Sequence, residues 1–184
     1  MAGLDISSLF FTEDLLNHLY GELDINTNAP SVQANRGPFA YGCRSPNQIT
    51  TIVMEGNKHR VLTYNSAQHY YQSERARMMC APELADKVRR SDQPVTDGWV
   101  PDEDYEKHVN EWDRCKVDVA FKANWLKFNQ NKDLAYELLL TGNRPMVHED
   151  SYLGGVCWGK SISWPEINRK MLMIIREDLR RRAA

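Results

Sequence analysis

The chain has 184 residues, 42% of them hydrophobic and 26% charged, which suits one domain with a sizeable core and excludes wholesale disorder. Its 23 Lys and Arg against 25 Asp and Glu leave a formal charge of −2, which gives no electrostatic reason to expect strong sequence-independent nucleic-acid binding. A local basic pocket for a phosphate or dinucleotide is still compatible with that balance.

In chain order, Thr12 followed by Glu13 and Asp14 marks a helix start, with both acids placed well against the helix dipole. Leu15, Leu16, Leu19 and Tyr20 give this helix an apolar side before Gly21. Residues 24–38, rich in Asn, Pro, Ser and Gly, read as a loop. Residues 1–35 are therefore expected as an N-terminal helix and linker, ahead of a main domain over 36–184. The helix has two possible uses, docking on that domain or binding a protein partner. Residues 48–63 carry the best strand signal: Ile49 to Met54, a turn at Glu55-Gly56-Asn57, and a return through Arg60 to Tyr64, which makes a hairpin.

Beyond the hairpin the pattern is helical. Asn65 or Ser66 caps a helix running to about Met79, and Asn65 with Gln68 has the spacing of a capping box. Pro82 opens a short helix through Arg90, and a loop with Pro94, Gly98 and Pro101 follows. A long helix is expected over 104–128, where Val109, Trp112, Lys116, Val119, Ala123 and Leu126 recur at three- and four-residue steps. Another over 133–140 closes at Gly142. The last starts at Pro165, carries Ile167, Met171, Leu172, Ile175 and Leu179 on one face, and ends in Arg180, Arg181 and Arg182. The fold class is mainly α (α+β): a helical domain with a small β-hairpin or sheet.

The first eleven residues lack the pattern of a secretory signal, and the longest apolar runs are too short for a bilayer span. Cys43, Cys80, Cys115 and Cys157 form no C-x-x-C pair, so free thiols in a reducing, cytoplasmic setting are expected. The histidines His18, His59, His69, His108 and His148 are scattered, and no metal or other cofactor is expected. The phosphate-loop, dinucleotide, zinc-protease and nucleophile-elbow motifs are all missing from the sequence.

Three segments stand out. The first is Ser66-Ala67-Gln68-His69-Tyr70-Tyr71-Gln72, continuing to Arg75. The second runs from Trp112 through Lys116, Val119, Ala120 and Ala123 to Lys127-Phe128, followed by Leu138 to Gly142. The third contains His148-Glu149-Asp150 and Cys157-Trp158-Gly159, and closes with Leu172 to Glu177. In this order and at these separations, over about residues 45–180, they resemble the NADAR family of YbiA-like N-glycosidases.

The resemblance implies cleavage of an N-glycosidic bond beside a ribose phosphate, on ADP-ribose, NAD, riboflavin-pathway intermediates or ADP-ribosylated guanine. Such a transition state has oxocarbenium character, so a carboxylate near the anomeric carbon stabilises charge or activates water. Gln68 stands where the family places its glutamate, and an amide cannot ionise. Gly155 stands where the family has the aspartate of D-x-x-W-G. Glu149 or Asp150 aligns with a third family carboxylate and is a candidate to take over the chemistry; Glu74 is a weaker one. For substrate binding the resemblance implies His69, Tyr70, Gln72, Arg75, Trp112, Trp158, Gly159 and Arg176. Arg75 and Arg176 are phosphate partners in that reading, and Trp112 stacks on the base. Packing is the alternative for each: Trp112 on the core stripe of its helix, Arg176 on a helix surface. Two functions stay open, a nucleotide N-glycosidase with rearranged acids, or a pseudoenzyme that binds ADP-ribose or a related nucleotide.

Overall fold

The computed structural model describes residues 5–36, 39–40, 49–55, 58–93, 102–148 and 164–184, with backbone alone at 52–55, 58 and 102–107. After a short 3-10 turn at Ile6–Ser8 come α1 (Glu13–Gly21), β1 (Val32–Gln33), β2 (Ile49–Glu55) and β3 (Lys58–Tyr64). They are followed by α2 (Ala67–Met78), α3 (Pro82–Arg90), α4 (Asp102–Gln130), α5 (Lys132–Leu140), β4 (Met146–Val147) and α6 (Trp164–Ala183). The architecture is mainly helical with two small sheets, the α+β class expected from the sequence.

The Thr12 hydroxyl caps α1 by accepting the Leu15 amide at 3.2 Å. Leu16 and Leu19 are buried and the helix packs along α6, so of its two possible uses the structure shows docking. Ile6 and Phe11 enter the same core, where the Phe11 ring stacks nearly parallel on Phe121 of α4. The Phe11 amide donates to the buried Asp118 carboxylate at 2.8 Å. On α6, Lys170 donates to Asn17 at 2.7 Å, and both Arg169 and Lys170 lie over the Tyr20 ring.

β2 and β3 form the expected antiparallel hairpin, in register from Ile49 with Tyr64 to Glu55 with Lys58. Period-two alternation buries Ile49, Leu62 and Tyr64 and leaves Val61 and Thr63 outside. The Gln130 side chain, at the end of α4, both donates to the Thr50 carbonyl and accepts its amide, each at 2.7 Å. It pairs with the edge of β2 as a neighbouring strand would. The second sheet was not expected: β1 pairs in parallel with β4, Val32 opposite Met146 and Gln33 opposite Val147. Two residues are too few to show a period in a segment that otherwise reads as loop.

The Ser66 hydroxyl caps α2 by accepting the His69 amide at 3.3 Å. The capping box expected between Asn65 and Gln68 does not form, because the Asn65 amide instead donates to the Ser91 carbonyl at 3.0 Å and ties α2 to the end of α3. At the other end, the Cys80 amide bonds the Arg77 carbonyl at 3.0 Å and the Ala81 amide bonds that of Ala76 at 2.9 Å. This is the Schellman closure, with Cys80 at φ 56°, a left-handed position usually taken by glycine. α5 ends conventionally at Gly142, φ 58°.

α6 runs through the centre of the molecule. Ile167, Asn168 and every residue from Lys170 to Arg176 are buried, because α1, α4, α5 and β4 all pack around it. The single apolar face expected from the sequence is therefore part of a helix enclosed on all sides from Lys170 to Arg176. Among the described residues no helix is long and apolar enough to cross a membrane, and Cys80 and Cys115 carry free thiols.

Candidate functional site

The residues of α2 divide at 100° per residue into three faces with different neighbours. His69, Ser73 and Ala76 face α3. The His69 ring lies 2.7 Å from the Ser66 hydroxyl and 3.1 Å from the Ser91 carbonyl, and the Ser73 hydroxyl donates to the Ala85 carbonyl at 2.8 Å. Burial pulls the His69 imidazole below its ordinary range, against the Ser91 carbonyl, which favours the cation.

Tyr70, Glu74 and Arg77 face the hairpin. Tyr70 meets Tyr64 edge-on, and Arg77 donates to Glu74 and to the Tyr64 hydroxyl. Burial pushes the Glu74 carboxyl above the usual carboxylate range, while the Arg77 guanidinium opposes the shift. Burial, aided by the Glu74 charge, also raises the Tyr70 phenol. Glu74 is thus paired with Arg77 on the hairpin side of α2, about 120° around the helix from Gln68.

The third face carries Gln68, Tyr71, Gln72 and Arg75. Tyr71 packs on Trp112 of α4 at 5.0 Å between ring centroids and approaches Trp164, the first residue of α6, at 6.4 Å. Gln68, Gln72 and Arg75 are partly exposed beside this aromatic cluster. α2 and α6 each pack on α4. Along this face Tyr71 thus joins α2 to α4 and to the first turn of α6. Trp112 is only 3% exposed and belongs to the core cluster, so it packs beneath this face.

Lys127, which the sequence reading quoted in a motif without assigning it a role, is 0% exposed. Its ammonium donates to the Ala40 carbonyl at 2.7 Å and lies 4.9 Å from the Phe128 ring centroid. With no carboxylate beside it among the described residues, burial pulls the amine down to about 7. One turn earlier, Ala123 packs in one cluster with Ile49 and Ala67, and Ala67 is the neighbour of Gln68. The available signal was a lysine in phase with Ala120 and Ala123 on an otherwise apolar side of α4.

Arg176 corrects an expectation. It is neither open to a phosphate nor on a helix surface: its guanidinium is buried and donates to the Thr141 hydroxyl and the Arg144 carbonyl, both at 2.8 Å. It ties the end of α5 to α6, and burial lowers it to about 10. Glu149, Asp150, Gly155, Trp158 and Gly159 lie outside the described residues. Among those described, no three His, Cys, Asp or Glu side chains gather as a metal site would require.

An N-glycosidase of Acanthamoeba polyphaga mimivirus is 36% identical over 80 residues, which cover 36% of this chain and 46% of the relative. The match thus spans about half the length of that protein. The NMR structure of the E. coli protein YbiA is 22% identical, with a TM-score of 0.45, over 66% of this chain and 71% of that one. Residues 34–180 match the NADAR domain, an extent that takes in α2, α4 and nearly all of α6. By that match the chain belongs to the NADAR domain family.

Proposed function

We propose that α2, α4 and the first turn of α6 border a groove that holds a ribose-phosphate nucleotide of the ADP-ribose or NAD type, and that the chain is an N-glycosidase acting on it. The observation that carries this reading is the third face of α2, where Gln68, Gln72 and Arg75 lie beside Tyr71 and Trp164, within a domain of this family. In the reaction the bond from the anomeric carbon to the base nitrogen breaks. Water supplies a hydroxyl to the carbon, and its proton goes by way of a base to the departing nitrogen. Arg75 is the cation on this face suited to a phosphate, and Gln68 hydrogen-bonds the sugar without taking a proton. Proton transfer then falls to Glu149, to Asp150 or to the Lys127 amine, which exchanges protons near neutrality. Tyr70 and His69, engaged with Tyr64 and Ser91, shape the groove from behind. The free thiols of Cys80 and Cys115 accord with a reducing, cytoplasmic setting.

A second reading is favoured by one residue. The amide of Gln68 at the family's glutamate position suits a pseudoenzyme that binds the nucleotide and leaves it whole. Incubation with NAD, ADP-ribose, ADP-ribosylated guanine DNA and riboflavin-pathway intermediates, followed by mass spectrometry and thermal shift, separates the two. Release of a free base, lost on Arg75→Ala, supports the glycosidase. A thermal shift without turnover supports the binder, and silence in both readouts refutes both.

A further inference from the structure

Of the four residues that open α2, Ser66, Ala67 and His69 are 0%, 0% and 1% exposed, and Gln68 alone is partly exposed. Ala67 is packed into the cluster with Ile49 and Ala123. Ser66 and His69 are held by polar contacts that together admit one arrangement of protons. The His69 Nε2 lies 3.1 Å from the Ser91 carbonyl, which can only accept, so the ring carries its proton on Nε2. Nδ1 is then a bare acceptor, and the Ser66 hydroxyl, 2.7 Å away, donates to it. The same Ser66 oxygen accepts the His69 amide at 3.3 Å and so caps α2. The Ser91 carbonyl also accepts the Asn65 side-chain amide at 3.0 Å, so two donors from the start of α2 meet on one oxygen at the end of α3.

A serine cap needs only a backbone amide from the third helical residue, which nearly any side chain would leave in place. Capping therefore does not account for a buried imidazole at this position. What the ring adds is a stiff link from the cap to the end of α3, and Gln68 is mounted between the two residues so joined. A group that recognises a ligand has to be held within roughly 0.5 Å of its working geometry by neighbours that are themselves locked. Resting on the nucleotide reading of this face of α2, we propose that His69 is a positioning residue: its neutral ring, fixed between Ser66 and Ser91, sets the direction from which the Gln68 amide meets the sugar. His69 itself, turned toward α3, touches no part of the nucleotide in this role.

The ring is read first, without ligand. Nitrogen NMR shifts of His69 in the wild type at pH 7 are expected to place the proton on Nε2, and a proton on Nδ1, or on both nitrogens, overturns the arrangement. The role is then tested by a double-mutant cycle in the full chain, with ADP-ribose and NAD as probes and calorimetry as the readout. His69→Asn keeps an acceptor near the place of Nδ1 and gives up the link to Ser91, whereas His69→Gln keeps a donor near the place of Nε2 and gives up Ser66. Gln68→Ala is expected to weaken binding by about three- to tenfold, and each His69 variant by a similar factor. In the Gln68→Ala background neither His69 change should weaken binding further, because the residue it would misdirect is gone. Thermal melts accompany each titration, and should one His69 variant fail to fold, the other completes the cycle. Losses that multiply in the double variant overturn the proposal, because His69 would then act without Gln68. A lowered melting temperature with unchanged affinity overturns it too, since the ring would then serve stability alone. In both cases the wild type still binds and the nucleotide reading stands. Absence of binding of either probe by the wild type overturns the nucleotide reading, and this role with it.

Discussion

Substituting Lys127 by Met should stabilise the protein in mild acid and lose that advantage in alkali. In the folded state burial holds the amine at about 7, whereas an ordinary lysine titrates near 10.5. The unfolded chain therefore binds more protons between those values, so wild-type stability rises with pH across the window. The full span corresponds to roughly 5 kcal/mol at most, present as a penalty below pH 7 and gone above the ordinary lysine range. Lys127→Met removes the penalty and leaves the Ala40 carbonyl without its donor, a loss of about 1–3 kcal/mol. The variant should accordingly gain about 2–4 kcal/mol at pH 6; at pH 10, where roughly 1 kcal/mol of the penalty remains, it should show anything from no difference to a loss of about 2 kcal/mol. Urea denaturation followed by tryptophan fluorescence at pH 6, 8 and 10 measures it. Burial raises the Cys115 thiol, but it is present in both proteins and cancels in the difference. A stability difference that does not change with pH would refute the reasoning, since it would mean that the Lys127 amine is equally hydrated folded and unfolded.

Three further outcomes follow from the geometry. Gln68→Glu returns an ionisable group to the first turn of α2 and, under the glycosidase reading, should raise single-turnover base release by about 10²–10⁴-fold; nucleotide binding with no gain in turnover would count against a catalytic role for this position. Cys80→Gly relieves a left-handed residue at the α2 terminus and should add about 1 kcal/mol in chemical denaturation, while Cys80→Val should cost at least as much; equal stability of the two would show that the conformation carries no strain. Asp118→Ala strips the buried acceptor from the Phe11 amide and should cost about 1–3 kcal/mol, with faster proteolysis ahead of α1 in a limited digest; an unchanged digest would mean that the arm is held by its apolar contacts alone.

The helices were legible because each carries its own start and stop: Thr12, Pro82 and Pro165 open three of them and Gly142 closes another. The hairpin was legible for a similar reason, since two apolar β-branched runs flank a turn signal. The β1–β4 pair was not, because it joins residues 114 positions apart through only two bridges and has no local signature. Nor could the sequence apportion the motif around Gln68. Which of His69, Tyr70 and Gln72 faces the groove depends on where α3 and the hairpin land, and those are tertiary facts. Arg176 shows the same limit from the other side. A cation in a family motif reads as a phosphate partner until the unpaired carbonyl of Arg144 and the hydroxyl of Thr141 are seen to claim it.

The enclosure of α6 bears on how the chain folds as it is made. Synthesis runs from the amino end, so α1, α4, α5 and β4 all emerge from the ribosome before the helix that they surround. Until residues 164–176 arrive, the faces of those four elements that will meet Met171, Leu172, Met173, Ile174 and Ile175 have nothing to cover them. Local pieces such as the hairpin and the α2–α3 pair can form early, but consolidation of the core has to wait for the last element of the domain. A nascent chain stalled before Trp164 would therefore display an open apolar trough, the kind of surface that chaperones bind and that associates with other unfinished chains.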